Sequence, residues 1–361
     1  MNTNHPPFAA VVGLGLIGGS IAKALSKTYC VIGYDPDQIT CQQGIKTGVL
    51  TEAYAAPNQR LQDCTVVFLA APPSLCPALL QLIGALVTPA TLITDACSVK
   101  EEIVSCAQNA HLRFIGGHPM AGSEKSGFAA SDSLLMENAY YLLTPYQPDP
   151  DGEALLHNIV QECFHAIPLT VSPKQHDLAV GLISHLPHAV SATLVNLVQQ
   201  HDTPEHLLQK IAAGGFRDLT RISSSSPELW NGICSENREN LSELLDEMAS
   251  MLQAFSRSLR QNKPVTDRFR TAKSYRDEIE TGRHQEQGYE IKVAVSDRPG
   301  AIAHITELLS RKSINLSNLH ISHSREFEGG ALRLRLTKRE DIPAALDLLR
   351  QNGYIAEQVE Q

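Results

Sequence analysis

His118 lies in Gly116-Gly117-His118-Pro119-Met120-Ala121-Gly122-Ser123-Glu124, a turn that glycine and proline hold in place. A fixed, neutral imidazole can accept a hydroxyl proton while hydride leaves the same carbon, which is what alcohol oxidation requires. The alternative, lesser reading is an ordinary surface-turn histidine. A hydride acceptor is implied earlier in the chain, where Gly13-Leu14-Gly15-Leu16-Ile17-Gly18 follows the apolar run Ala9-Ala10-Val11-Val12. In a dinucleotide site the first glycine, Gly13, makes the tight turn out of a strand. Gly15 lets the pyrophosphate approach the backbone, and Gly18 lets the following helix pack close to the sheet. The free N–H groups where that helix starts, at Leu16 and Ile17, then face the phosphates. Asp35 closes the next apolar run, Cys30-Val31-Ile32-Gly33-Tyr34. Its carboxylate suits the adenosine ribose hydroxyls and would repel a 2′-phosphate, and no arginine follows it closely, so NAD rather than NADP is the expected cofactor.

Three further groups carry chemistry. Ser98, in Thr94-Asp95-Ala96-Cys97-Ser98-Val99-Lys100, could donate to a substrate hydroxyl or orient a nicotinamide amide. It could equally be the N-cap of a helix over Val99-Lys100-Glu101-Glu102. Arg217 and Arg221 flank Asp218-Leu219-Thr220 after the double glycine Gly214-Gly215. In an apolar helical setting each needs a partner; Asp218 is the simplest one for Arg217, whereas the planar fork of Arg221 suits a substrate carboxylate. Ser184-His185-Leu186-Pro187-His188 brings two histidines whose spacing makes no convincing metal site, so packing or substrate hydrogen bonding is the better reading and no metal is expected.

These residues need a scaffold. The first 170 or so residues alternate short apolar runs with helical patterns, as a βαβ series does. Strands are expected at Thr65–Ala70, Thr91–Asp95, Arg113–Gly116, Ala139–Leu143 and Ala166–Val171. In such a sheet ligands bind beyond the carboxyl ends of the strands, where the loops Ala71-Pro72-Pro73, Ala96-Cys97-Ser98 and Gly117-His118-Pro119 fall; Ala71 and Pro72 are therefore expected at the cofactor. From Pro173 to about Arg270 the pattern is helical. Leu178 to Val198 is apolar enough to suggest a membrane span, but His185, Pro187, His188 and Asn196 point to a buried helix broken near Pro187. Trp230, Ile233, Asn237, Leu241, Leu244, Met248, Met251, Phe255 and Leu259 read as one stripe of a long helix, suited to a core or to pairing across a two-fold axis. The charged segment Asp267 to Gln287 reads as a linker or an exposed helix with a linker. After it the order strand, helix, strand, strand, helix, strand is that of a ferredoxin-like βαββαβ sandwich. The expected organisation is α/β: a Rossmann-type nucleotide-binding domain over 1–172, an all-α substrate and dimerisation domain with linker over 173–285, and the βαββαβ domain over 286–361.

Composition narrows the class. The 361 residues carry a formal charge of −9 with no basic runs, which argues against nucleic acid or an anionic membrane as partner. An anionic substrate must then be held by locally placed arginine or lysine. Eight scattered cysteines without CxxC spacing suggest reduced, mostly buried thiols, and with no charged-then-apolar leader before the first strand a cytoplasmic location is expected.

The runs GLGLIGGS, Asp95-x-x-Ser98-Val99-Lys100, GGHPMAGSEKSG, SHLPH and GGFRDLTRIS with Trp230 nine residues after Arg221 together resemble the prephenate dehydrogenase family. Asp297-Arg298-Pro299-Gly300 with Ile314-Asn315-Leu316 is similar to an ACT domain, an amino-acid-sensing module. The resemblance implies oxidative decarboxylation of prephenate to 4-hydroxyphenylpyruvate in tyrosine biosynthesis. It implies that His118 accepts the C4-hydroxyl proton, that Ser98 shares the hydroxyl contact, and that Arg221 holds a carboxylate with His188 near the pyruvyl side chain. Ser123, Glu124 and Arg217 would complete the substrate site. Tyrosine would bind near Asp297, Arg298, Pro299, Gly300 and Asn315 of a homodimer. Two positions depart from the family's pattern: Cys97, often glycine, and Arg217, often lysine. Arogenate, which differs by an amine in place of the side-chain ketone, is the competing substrate. A non-catalytic NAD- and amino-acid-binding regulator is the competing class, against which the joint presence of His118, Ser98 and Arg221 argues.

Overall fold

Strand β1 (Phe8–Val12) shows why the first sheet forms. Its side chains alternate between two core layers: Ala9 and Val11 pack with Val66 and Phe68, and Ala10 and Val12 with Val67 and Leu69. A strand apolar at every position can be satisfied only with both faces covered, as in a parallel sheet flanked by helices. The computed structural model describes residues 6–122, 125–284, 289–295, 298–322 and 331–359 of the chain. They fall into two compact units, Met1–Leu252 and Gln253–Gln361.

In the first unit β1 is followed by α1 (Leu16–Leu25), β2 (Cys30–Tyr34), α2 (Gln38–Lys46), β3 (Glu52–Tyr54), β4 (Cys64–Leu69), α3 (Cys76–Gly84), β5 (Leu92–Asp95) and α4 (Glu101–Asn109). The five strands are parallel, in the order β3-β2-β1-β4-β5. The order reverses between β1 and β4, which opens a crevice at their carboxyl ends. β6 (Ile115–Pro119), β7 (Tyr140–Pro145) and β8 (Ile167–Thr170) form a separate sheet in the order β6-β7-β8, joined to β5 through a parallel bridge between Ile93 and Phe114. Here the expected βαβ series breaks, because β6 and β7 are antiparallel. Between them the described residues hold only a short 3₁₀ turn, Phe128–Ala130, and a return without a crossover helix leads to antiparallel pairing. α5 (Pro150–Asn158) then crosses to β8, which is parallel to β7.

The helical segment starts with α6 (Pro173–Val180), a π turn at Gly181–His185 and α7 (Leu186–His201). The expected break near Pro187 is absent: Pro173–His201 is one helix of 29 residues. The π turn shifts the hydrogen-bond register just before Pro187, the residue with no N–H to give. Among the described residues this is the one helix long and apolar enough to cross a membrane. The expectation that it is a buried apolar helix also fails. Its buried residues include His176, Asp177, His185 and Ser191, while Leu178, Leu182, Ile183 and Leu197 are exposed. Two short helices, α8 (Leu207–Ile211) and α9 (Gly214–Thr220), precede α10 (Pro227–Glu236) and α11 (Arg238–Arg260). The stripe from Trp230 to Leu259 is therefore split in two at Asn237, whose buried side chain donates to the Asp177 carbonyl (2.8 Å).

In the second unit, α12 (Thr266–His284) is an exposed helix over most of the charged segment. Next come β9 (Tyr289–Ala294), α13 (Ala301–Arg311), β10 (Leu316–Ser322), β11 (Ala331–Leu336), α14 (Asp341–Gln351) and β12 (Ala356–Gln358). The antiparallel order β10-β11-β9-β12 is the βαββαβ arrangement. Ile291, Val293, Leu332 and Leu334 meet Ile305, Leu309, Ile342 and Leu349 in its own core.

One polar contact joins the elements that carry the turns of interest. Lys100 and Asp95 are both 0% exposed and form an ion pair. Lys100 Nζ also donates to the Gly117 carbonyl (2.9 Å), and Asp95 accepts from the Gly117 and Cys97 N–H groups (3.0 and 2.9 Å). Removing one partner leaves a buried charge uncompensated. Lys100→Met should therefore cost about 3–5 kcal/mol in urea unfolding, and a loss under about 1 kcal/mol would show that water or rearrangement replaces the pair.

Candidate active site

The three glycines after β1 occupy different environments. Gly13 has φ +91°, and a Cβ there would lie 2.6 Å from the Ala70 carbonyl at the end of β4. A Cβ on Gly18 would lie 1.8 Å from the Gly13 carbonyl. Around Gly15 nothing lies within 4 Å of where a Cβ would be, so the backbone at the start of α1 borders open space. Leu16 and Ile17 form the first turn of α1 beside it. Asp35, at the end of β2, accepts from the Leu14 N–H (2.8 Å) and from the Asp37 N–H (2.9 Å), which fixes its carboxylate against the glycine loop. A bare cradle at a helix N-terminus with a carboxylate at its rim fits a dinucleotide.

Contacts continue from this cradle to His118. Ala71 follows Ala70, and its carbonyl accepts from Cys76 Sγ (3.4 Å), as does that of Pro72. Cys76 Sγ lies 3.2 Å from Cys97 Sγ, with both thiols buried, so the unusual Cys97 packs against a second sulfur. This contact first, and then burial, push the Cys97 thiol up, away from the thiolate. The Cys97 N–H binds Asp95, and Asp95 binds Gly117, the residue before His118. A Cβ on Gly117 would lie 2.5 Å from the Asp95 carbonyl, so only glycine brings β6 this close.

His118 is half-buried at the carboxyl end of β6. Its Nδ1 lies 2.8 Å from His176 Nε2, and His176 Nδ1 lies 2.6 Å from Asp177 Oδ1. Burial, then the neighbouring His176, Lys100 and His185, holds the His118 pKa well below the ordinary histidine value. Asp177 also accepts from the N–H groups of Lys100 (2.7 Å) and Glu101 (2.8 Å). Asp177 is thus the cap of α4, and Ser98, half-buried in the preceding loop, is not. His185 packs edge-on to Trp230, and His188 stacks on its face, with centroids 3.6 Å apart. Burial pushes His185 down to about 4. Burial first, and then the charge of Arg221, lowers His188. His118, His176, His185, His188, Trp230 and Arg221 therefore gather around one end of α6–α7.

Two matches to family models cover most of the chain. The description "Prephenate dehydrogenase, nucleotide-binding domain" fits residues 21–167, and "Prephenate dehydrogenase, dimerization domain" fits residues 172–272. A prephenate dehydrogenase of Bacillus subtilis is 34% identical over 346 residues, 92% of each chain.

The chain belongs to the prephenate dehydrogenase family.

Solved structures agree. The prephenate dehydrogenase of A. aeolicus, crystallised with hydroxyphenyl propionate and NAD+, superposes with a TM-score of 0.71 at 29% identity, covering 77% of this chain and 100% of that one. The arogenate dehydrogenase of Synechocystis gives 0.68 at 30% identity, covering 75% and 99%.

Within that family frame, the expected residues meet different fates. Gly13, Gly15, Leu16, Ile17 and Gly18 lie at the turn from β1 into α1, Asp35 directly after β2, and Ala71 and Pro72 just after β4, all at the carboxyl ends of the parallel strands; Ser98 lies in the loop after β5 and His118 at the carboxyl end of β6. Arg217 and Arg221 are both exposed, so the condition of burial does not arise, and Arg217 makes no ion pair with Asp218. Ser123 and Glu124 lie outside the described residues. Sequence reasoning missed His176, Asp177, Glu236 and the junction role of Asn237. The available signal was a His-Asp pair in the first turns of a helix opened by the capping box of Ser172 and Gln175.

Two predictions arise here. Gly15→Ala should leave thermal stability unchanged and weaken NAD binding at least about tenfold by calorimetry, roughly 1.4 kcal/mol. Gly18→Ala should instead unfold at lower temperature; equal behaviour of the two variants would refute the division of roles. Glu236 has its pKa raised from 4.5 to about 7, by burial first and then by Glu102, against the pull of Lys100. Between these two values the folded chain holds a proton that the unfolded chain has lost, so stability falls as pH rises through this window. Glu236→Gln should match the parent's melting temperature at about pH 5 and exceed it at about pH 8; parallel pH curves would count against it.

Proposed function

We propose that the chain catalyses the NAD-dependent oxidative decarboxylation of prephenate to 4-hydroxyphenylpyruvate, as family membership and the site's chemistry together support. The carrying observation is His118, an imidazole whose pKa burial holds below the ordinary value, joined by continuous contacts to the dinucleotide cradle. Bound NAD supplies a nicotinamide ring that accepts hydride. His118 accepts the C4-hydroxyl proton as hydride leaves C4, and Ser98 shares the hydroxyl contact. Loss of CO₂ then makes the ring aromatic and the reaction effectively one-way. Arg221 holds a substrate carboxylate, its fork matching two oxygens, with His188 on Trp230 beside it. The site assignment also includes Arg217, Ser123 and Glu124.

The same reading extends to assembly and control. Leu178, Leu182, Ile183 and Leu197 expose apolar surface on the helix that the dimerisation description covers, which supports a homodimer closed across this face. Within the second unit, the βαββαβ domain over 286–361 is proposed to be an ACT domain that binds tyrosine. Its support is the βαββαβ sheet, the left-handed Gly300 (φ +85°) after Arg298 and Pro299, and a cavity of about 330 Å³ lined by Thr306, Ser310 and Asn315. Asp297 lies outside the described residues.

Formation of NADH from prephenate and NAD, followed by absorbance beside arogenate and NADP controls and with added tyrosine, tests all parts. Turnover of prephenate with NAD is expected, and preference for arogenate would move the substrate assignment. Insensitivity to tyrosine would leave the enzyme and remove the sensor. His118→Asn should lower kcat by about 10²–10⁴-fold with little change in NAD affinity, and Arg221→Ala should mainly raise KM. Because His118 works neutral and its pKa is lowered, kcat/KM should stay flat below pH about 6.5 and fall only on further acidification. A fall centred at or above the ordinary histidine value would contradict this environment.

A further inference from the structure

We infer that His176 and Asp177 are positioning residues that fix the proton of His118 on Nδ1 and so leave Nε2 free to act as the base. The inference rests on the proposed role of His118 in prephenate oxidation. Both residues are buried, at 0% and 1% exposure, and they adjoin one another at the start of α6, far in sequence from β6.

The proton positions follow from donors and acceptors. Asp177 receives three N–H groups: the backbones of Lys100 and Glu101, and Nδ1 of His176. An ionised carboxylate only accepts, so His176 Nδ1 carries its proton. Burial first lowers the pKa of His176, with the Asp177 hydrogen bond opposing, so the ring is neutral and its Nε2 is a bare acceptor. His118 Nδ1, 2.8 Å away, must then be the donor. That leaves a lone pair on His118 Nε2, the atom that can take a substrate hydroxyl proton.

The surrounding charges keep this state neutral until the reaction. Burial first, and then the ammonium of Lys100, oppose a positive charge on His118, as would any charge gained by His176 or His185. Asp95, which pairs with Lys100, lies beyond Gly117, and Glu236 approaches Lys100 and Asp177 from α10. When His118 gains a proton, its Nδ1–H is still received by His176, whose far side is anchored to Asp177. The proton thus arrives with no ring rotation and no change of partner, and this saves reorganisation at the moment of transfer. A free imidazole favours the opposite tautomer, with Nε2 protonated, which would present a donor to the substrate instead of a base.

The test combines nitrogen-15 NMR of the full-length protein with a double-mutant cycle. In the parent, His118 should give a protonated Nδ1 and an unprotonated Nε2 signal. In His176→Leu the tautomer should change to the Nε2–H form, and kcat should fall about 10²–10³-fold with KM for prephenate and NAD affinity little changed. His176→Gln, whose amide can accept from His118 and donate to Asp177, should restore most of the rate. In a His118→Asn background, His176→Leu should have no further effect on kcat, since both act on one proton transfer. An Nε2–H tautomer in the folded parent would overturn the inference, as would additive losses in the cycle or an unrescued His176→Gln that melts like the parent. If the parent failed to turn over prephenate, the functional reading would fall, while the NMR signals would still decide the proton positions.

Discussion

The buried pair of Lys100 and Asp95 is the constraint on which the site depends. A charge removed from water is tolerated only when every hydrogen-bonding position around it is used, and here each ion serves two purposes. Asp95 receives two backbone N–H groups in addition to the ammonium, and Lys100 gives a second hydrogen bond to the Gly117 carbonyl. The end of β5, the strand that carries His118 and the start of α4 are thereby fixed to one another. The glycines at 116 and 117 are part of the same arrangement, because a Cβ on either would strike Thr144 or Asp95 and push β6 away.

The helical segment inverts the usual rule for amphipathic helices. Over α6 and α7 the buried side is polar and the exposed side is apolar. Asp177 caps a helix of the nucleotide-binding segment, Asn237 joins the Asp177 carbonyl to His185, and Ser191 bonds to Ser223 (2.7 Å). Buried polar groups of this kind contribute modestly to stability when satisfied and cost much when broken, so they act mainly to specify one arrangement. The outward apolar residues have no such role within the described first unit, and they are the surface that the proposed homodimer would cover.

Two distant segments therefore meet at one candidate site by different means. β6 brings His118 by strand pairing, which is set by local pattern and by glycine. α6 brings His176 and Asp177 by satisfying hydrogen bonds left open elsewhere, at the first turn of α4. A helix start with two unpaired N–H groups and a carboxylate from another element solve each other's problem. The histidine beside that carboxylate is placed in reach of His118 as a consequence.

Much of this was written in local sequence. The placement of the glycine loop, Asp35 and His118 was readable because each sits on a short backbone conformation: a left-handed turn with a helix N-terminus, or a strand end. The βαββαβ unit was readable because apolar alternation and turn residues punctuate it clearly. Other features were not local. Antiparallel pairing of β6 and β7 depended on what lies between them, and the continuity of Pro173–His201 depended on a π turn that no propensity signals. The split of the stripe at Asn237, the cap supplied by Asp177 in place of Ser98 and the exposure of Arg217 and Arg221 likewise came only with the fold. The sequence determined which groups were available and what the backbone could do within a few residues. Only the tertiary structure decided which polar groups would be buried together, because that depends on hydrogen bonds completed between segments more than seventy residues apart.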